Sequence, residues 1–117
     1  MFLKTLNFPN GQQIQCEVVS TPEELRTGLM GRKNIGSNQG MLFLFPESGK
    51  HTVWMANTPV ALDIVWMDEK CKIVEIVHSA QPYSLKQRGG AHRSSLMLEL
   101  SAGTAKNAGL QLGQTIH

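Results

Sequence analysis

The 117-residue chain is poor in the features that most readily announce a function. No apolar run approaches the ~18 residues that a membrane-spanning helix requires. Met1-Phe2-Leu3-Lys4-Thr5-Leu6 is too short and too interrupted to be the apolar core of a secretion signal. Charged residues make up only 17%, and a net charge of +2 is too small to call for a nucleic acid or a membrane surface. The two cysteines, Cys16 and Cys71, belong to no Cys-x-x-Cys pair or Cys/His cluster. They read as small buried hydrophobes or as one long-range disulfide, and the sequence leaves both open. The four histidines, His51, His78, His92 and His117, lack the short spacing of a zinc site, so no metal and no cofactor is expected. Ser94, Ser95 and Ser101 lack the Gly-x-Ser-x-Gly setting of a nucleophile elbow, so nucleophilic catalysis has no positive support.

What is present is an ordinary globular composition, 41% hydrophobic, in a length that suits a single domain spanning residues 1–117 with one sizeable core. It reads as a soluble, cytoplasmic protein, although a trimmed form of a secreted one would have the same composition.

Along the chain, Phe2 to Phe8 and Gln13 to Val19 alternate as strands around the turn Pro9-Asn10-Gly11. Thr21-Pro22-Glu23-Glu24 is a helix start, with Thr21 as N-cap, Pro22 in the first helical position and Glu24 completing a capping box; Gly28 and Gly31 keep this helix short, near residues 22–30. Gly40 to Phe45 is a buried strand that Pro46 should end. His51 to Ala56, Ala61 to Met67, Lys72 to His78 and Ser95 to Leu100 are further strands, with a short one at Gln114 to Ile116. Residues 79–94 lack periodicity and read as a mobile loop, and Gly103 to Ala108 as a helical turn. About seven or eight short strands, several apolar on both faces, with one reliable helix predict a mainly β, α+β domain. Because such strands need cover on both sides, the expected form is a partly closed β-barrel.

The richest block runs from Gly28 to Asp68. It holds Gly28-Leu29-Met30-Gly31-Arg32, Gly40-Met41-Leu42-Phe43-Leu44-Phe45 and Trp54-Met55-Ala56-Asn57-Thr58, followed by Pro59-Val60-Ala61-Leu62-Asp63-Ile64. This block resembles the domain of unknown function 192 family, widespread in bacteria and archaea. Leu98-Glu99-Leu100-Ser101-Ala102-Gly103 and Gly109-Leu110-Gln111-Leu112-Gly113 are similar to that family's closing motifs. The resemblance implies a compact β-rich fold and no established activity. Family members usually space the proline and leucine before the aspartate more tightly. They often carry Cys-Pro-x-Tyr after the sixth strand, where this chain has Ala80-Gln81-Pro82-Tyr83, so a role that needs a thiol there has no residue to perform it.

Five polar or aromatic residues of the central block are the candidate site: Arg32, Trp54, Asn57, Thr58 and Asp63. An ionised Asp63 between Leu62 and Ile64 must find partners, because burying it alone would cost several kcal/mol. Arg32, whose planar fork suits a carboxylate, is the attractive one, with the backbone of the Asn57-Thr58 turn as a second possibility. Asp63 then reads either as a strut or as an acid or base at a pocket. Trp66, between Val65 and Met67, belongs to the core; Trp54, before a polar turn, could wall a groove. The methionines fall at core-facing positions and fill gaps rather than bind copper. Lys86, Arg88, His92 and Arg93 surround Gly89-Gly90 in a basic loop that could meet an anion or an RNA backbone, although a solvated surface loop is the simpler reading. The leading expectation is a non-catalytic binding module for a small polar ligand or a peptide. The rivals are a hydrolase or lyase with Asp63 as acid/base and Arg32 as anion clamp, and weak anion or nucleic-acid binding through residues 86–93.

Overall fold

The turn at Gly11, where φ is +92°, folds β1 (Phe2–Asn7) back on β2 (Gln13–Val19) in the computed structural model, which describes residues 2–117. Helix α1 (Pro22–Thr27) follows and carries the capping box read in the sequence: the Glu24 N–H donates to Thr21 Oγ1 at 3.2 Å, and the Thr21 N–H to Glu24 Oε1 at 3.1 Å. Gly28 then takes a φ of +45° that a side chain would resist, and the helix stops. The chain returns as β3 (Gln39–Gly49), parallel to β2 from Gln15 opposite Gln39 to Val19 opposite Phe43. Next come β4 (Thr52–Val53), β5 (Leu62–Met67), β6 (Ile73–Ala80), β7 (Arg88–Gly89), β8 (Ser94–Ser101) and α2 (Thr104–Asn107).

Six strands form one sheet in the order β1-β2-β3-β8-β5-β6, antiparallel except for β2 and β3; β4 and β7 form a separate two-stranded ribbon. Strand β5 lies inside the sheet between β8 and β6, and all of its residues are buried. Alternation along β3, β5 and β8 sends side chains to two cores. Leu42, Val65, Met67, Leu98 and Leu100 pack on one face with Ala105, Ala108, Leu110 and Ile116. Met41, Phe43, Leu62, Ile64, Trp66 and Met97 pack on the other with Leu29 and Met55, flanked by Leu25, Ile35 and Val60.

The chain is therefore mainly β with a few short helices, and the expected barrel is corrected: among the described residues no sheet closes on itself, and β1 and β6 end the sheet as separate edges. The cover that strand closure was expected to supply comes from elsewhere, from the C-terminal segment on one face and from α1 with the loops around residues 29–35 and 53–60 on the other. Three boundaries also differ. The strand expected at His51–Ala56 shrinks to Thr52–Val53, and the one at Gln114–Ile116 to a single bridge between Thr115 and Lys72. Pro46 does not end β3, because it falls in the interval between Leu44 and Gly49 where the register with β8 shifts and no ladder N–H is demanded. Residues 79–94 are not a free loop. Arg88–Gly89 pairs with β4, the Ala91 N–H donates to Glu75 Oε1 at 3.2 Å, and Arg93 Nη2 donates to the Ser48 carbonyl at 2.8 Å. No helix among the described residues is long and apolar enough to cross a membrane.

Candidate functional site

Asp63 is fully buried, and both of its oxygens are taken by backbone donors. Oδ1 accepts the Ser79 N–H at 2.9 Å, in the irregular stretch of β6, and Oδ2 accepts the Ala105 N–H at 2.9 Å, in the first turn of α2. One carboxylate thus pins an edge strand and the C-terminal cover to the central strand. The expected ion pair with Arg32 is not formed. Arg32 instead grips Glu17 of β2 bidentately, Nη1 to Oε2 and Nη2 to Oε1, the latter at 2.8 Å. That grip, hydrogen bonding first and charge second, holds Glu17 below the usual carboxylate range against the opposing effect of its partial burial.

The segment Trp54–Pro59 is a knot of backbone bonds rather than a strand. The Met55 N–H donates to the Ser84 carbonyl, the Tyr83 N–H to the Thr58 carbonyl, and the Gly31 N–H to the Asn57 carbonyl at 2.8 Å. Asn57 adopts φ +56°, a left-handed conformation that asparagine tolerates. The bond to its carbonyl ties the turn to Gly31, the residue before Arg32. Thr58 is buried with its hydroxyl on the Ala56 carbonyl, Asn57 is exposed, and Trp54 is 46% exposed beside the exposed Tyr83 and Leu85 of the neighbouring segment. Trp66 is in the core, as are Met41, Met55, Met67 and Met97.

Two hollows flank the Arg32–Glu17 pair, which stands between them as a ridge. One, of about 530 Å3, is bounded by Gln15, Glu17, Arg32, Asn34 and Gln39 over a floor that includes Leu29 and Ile35. The other, of about 400 Å3, lies between α1 and the β2–β3 pair, against Glu23, Glu24, Thr27, Gly28, Val19 and Met41. A third, of about 160 Å3, is largely aliphatic and lies among Leu6, Leu42, Leu44 and Met67. Of the five residues expected to share one opening, only Arg32 borders these hollows; Trp54, Asn57, Thr58 and Asp63 do not.

A residue that the sequence reading passed over is Glu99. It lies on β8 opposite Met41 and Ile64, is 4% exposed, and receives no hydrogen bond among the described residues. Burial in these apolar surroundings pushes its carboxyl up to about 8. The signal was the one that singled out Asp63, a carboxyl between apolar neighbours, here Leu98 and Leu100. Cys16 and Cys71 are free rather than bridged, and burial pushes the Cys16 thiol up to about 12, which makes it a poor nucleophile. Among the described residues no group of three potential ligands could hold a metal ion.

The model of the family DUF192, described as an uncharacterized ACR, matches residues 5–117. The chain belongs to the DUF192 family. Two solved structures have the same fold at a TM-score of 0.90. One is a protein of unknown function from Novosphingobium aromaticivorans DSM 12444, at 29% identity, with 97% of this chain and 81% of that one aligned. The other is a candidate transcription regulator from Sinorhizobium meliloti 1021, at 30% identity, with 97% and 89% aligned. No curated protein matches this chain. The DUF192 assignment and these neighbours indicate no specific function.

Proposed function

We propose that this DUF192 domain is a non-catalytic binding module that takes a small polar ligand or a short peptide segment in the hollow beside Arg32. The observation that carries this reading is the combination of groups around that hollow. An ion pair with a 44% exposed arginine side chain, three amide side chains and an aliphatic floor border one space of about 530 Å3. A ligand carboxylate can compete with Glu17 for the Arg32 fork, while Gln15, Asn34 and Gln39 offer donors and acceptors to a peptide or a polyol. Asn57 supports this wall through its carbonyl bond to Gly31; Trp54, Thr58 and Asp63 take no part.

Hydrolase or lyase chemistry through Asp63 is disfavoured because its two oxygens are engaged away from any opening. A nucleic-acid role would fall to Lys86, Arg88 and Arg93. Arg88 is half-buried with its Nε sealed, and the exposed Arg93 gives one of its N–H groups to the Ser48 carbonyl, so the loop offers a phosphate fewer free donors than its composition suggests.

A thermal-shift screen of metabolites, glycans and short peptides tests the proposal. At least one class should stabilise the protein, by about 2.7 kcal/mol at a hundred times its Kd. Arg32→Ala should abolish that shift while costing no more than about 1 kcal/mol of ligand-free stability, since the pair is exposed. No stabilisation by any class, or full stabilisation of the Arg32→Ala protein, rejects the proposal.

A further inference from the structure

The segment 85–93 is held differently from the rest of the fold. It runs between two fixed ends: Ser84, whose carbonyl accepts the Met55 N–H, and Ser94, which pairs with Gly49 at the start of β8. Between them Gly89 rests on the Trp66 ring. A Cβ on Gly89 would stand 2.3 Å from Trp66 Cζ2 and 2.7 Å from Cε2, the atom bonded to the indole nitrogen. The ties of the segment to other elements are few. Arg88 and Gly89 pair with Val53 and Thr52, the Ala91 N–H donates to Glu75 Oε1 at 3.2 Å, and Arg93 Nη2 donates to the Ser48 carbonyl at 2.8 Å. Little carbon is buried by it. Leu85, Lys86, Gln87, Ala91, His92 and Arg93 are exposed, and of the half-buried Arg88, Gly89 and Gly90 only the arginine has a side chain to bring inside.

The closed segment also leaves polar groups unsatisfied. Among the described residues three side-chain polar atoms are sealed from solvent without a partner, and all three belong to this segment or to what it touches. Arg88 Nε lies within it, Ser94 Oγ at its fixed end and Trp66 Nε1 on the ring beneath Gly89. A cover that seals orphaned polar groups while burying little carbon is only weakly favoured over one that lifts and lets water reach them.

We propose that residues 85–93 are a strap that opens as a unit in the native protein, pivoting at Ser84 and Ser94, and so bares the indole N–H edge of Trp66. Gly89 and Gly90 suit the movement, because no side chain on them has to be carried past Trp66 or the Thr52 methyl. Opening breaks the β4–β7 ribbon and the ties to Glu75 and Ser48, while the six-stranded sheet stays whole. The open form offers a hydrogen-bond donor on an aromatic wall that the closed form withholds, on the sheet face opposite Ala105 and Leu110. The strap is independent of the hollow beside Arg32, which none of its residues borders.

Native-state hydrogen exchange of the full 15N-labelled chain, at pH 7 and several urea concentrations below the unfolding midpoint, tests the proposal. The Trp66 indole N–H, the Ala91 amide and the hydrogen-bonded amides of the ribbon should share one opening free energy that hardly depends on urea. Corrected for intrinsic rates, they should exchange at least about a hundredfold faster than the amides of β5 and β8. Arg93→Ala, which cuts the tie to Ser48, should speed exchange of the Trp66 indole N–H by about two- to tenfold. Ile14→Val, in the core on the other face, should speed the β5 and β8 amides by a similar factor and leave the Trp66 indole N–H and Ala91 unchanged. Exchange of the Trp66 indole N–H together with β5 and β8 overturns the proposal. So does an Ile14→Val effect shared equally by strap and core, or an Arg93→Ala protein with the wild-type indole rate. The wild-type comparison decides without either variant.

Discussion

Asp63 and Glu99 are the same kind of group in the same kind of strand, and their fates differ because opposite faces of the sheet surround them. Asp63 points to the face where β6 and α2 present free backbone N–H groups, which satisfy it completely. Glu99 points to the face of Met41, Phe43 and Ile64, which donate nothing. Asp63→Asn replaces one acceptor with an NH2 that must face a backbone N–H, and the expected cost is about 1–3 kcal/mol. Urea unfolding measures that cost, and amide exchange should show lost protection at Ser79 or Ala105. Unchanged stability with both amides protected would mean that the carboxylate is not the strut. The sequence showed that Asp63 had to be satisfied but not by whom. Side-chain chemistry such as the Arg32 fork is visible in a sequence, whereas donors on the backbone of Ser79 and Ala105 are not. Glu99 shows the same signature, a carboxyl between Leu98 and Leu100.

Where an element has a local code, the sequence carried it. The Pro9-Asn10-Gly11 hairpin and the capping box of α1 stand where they were read, as do the central strands β5 and β8 within a residue or two. The β4–β7 ribbon has no such code, since two-residue strands show no periodicity, and the stretch around Gly89-Gly90 looked like a mobile loop. Its glycine is there for packing. Gly89 has φ +87°, and a Cβ on it would lie 2.3 Å from Trp66 Cζ2 and 3.0 Å from the His51 carbonyl oxygen. Gly89→Ala should therefore displace the ribbon and destabilise the protein by about 1–3 kcal/mol from overpacking, with the positive φ adding strain. A lower melting temperature with a red-shifted tryptophan emission would record it; a wild-type melt and spectrum would show that the ribbon does not press on Trp66.

At the scale of the molecule, both cores are built from the same strands, so neither can form without the other, and unfolding should be a single transition. The two-faced apolar strands correctly demanded cover, but hydropathy could not say that the C-terminal segment and the residue 29–35 and 53–60 loops would supply it in place of closure. Glu99 gives this stability a pH dependence of definite sign. Its folded-state value of about 8 lies above the ordinary ~4.3 of a glutamate, so the native state keeps a proton that the unfolded chain has lost. The Glu99 contribution is then full below about pH 4 and falls as pH rises toward 8, at up to about 1.4 kcal/mol per unit, and is level above that. Urea midpoints from pH 5 to 9 should carry this slope in the wild type and lose it in Glu99→Gln; identical profiles would contradict it. The binding reading itself is tested most directly by mapping amide chemical-shift changes as a stabilising ligand is titrated into the 15N-labelled protein. The changes should centre on Gln15, Glu17, Arg32, Asn34 and Gln39, around the larger hollow; changes centred on Trp54, Tyr83 and Leu85 instead would contradict it.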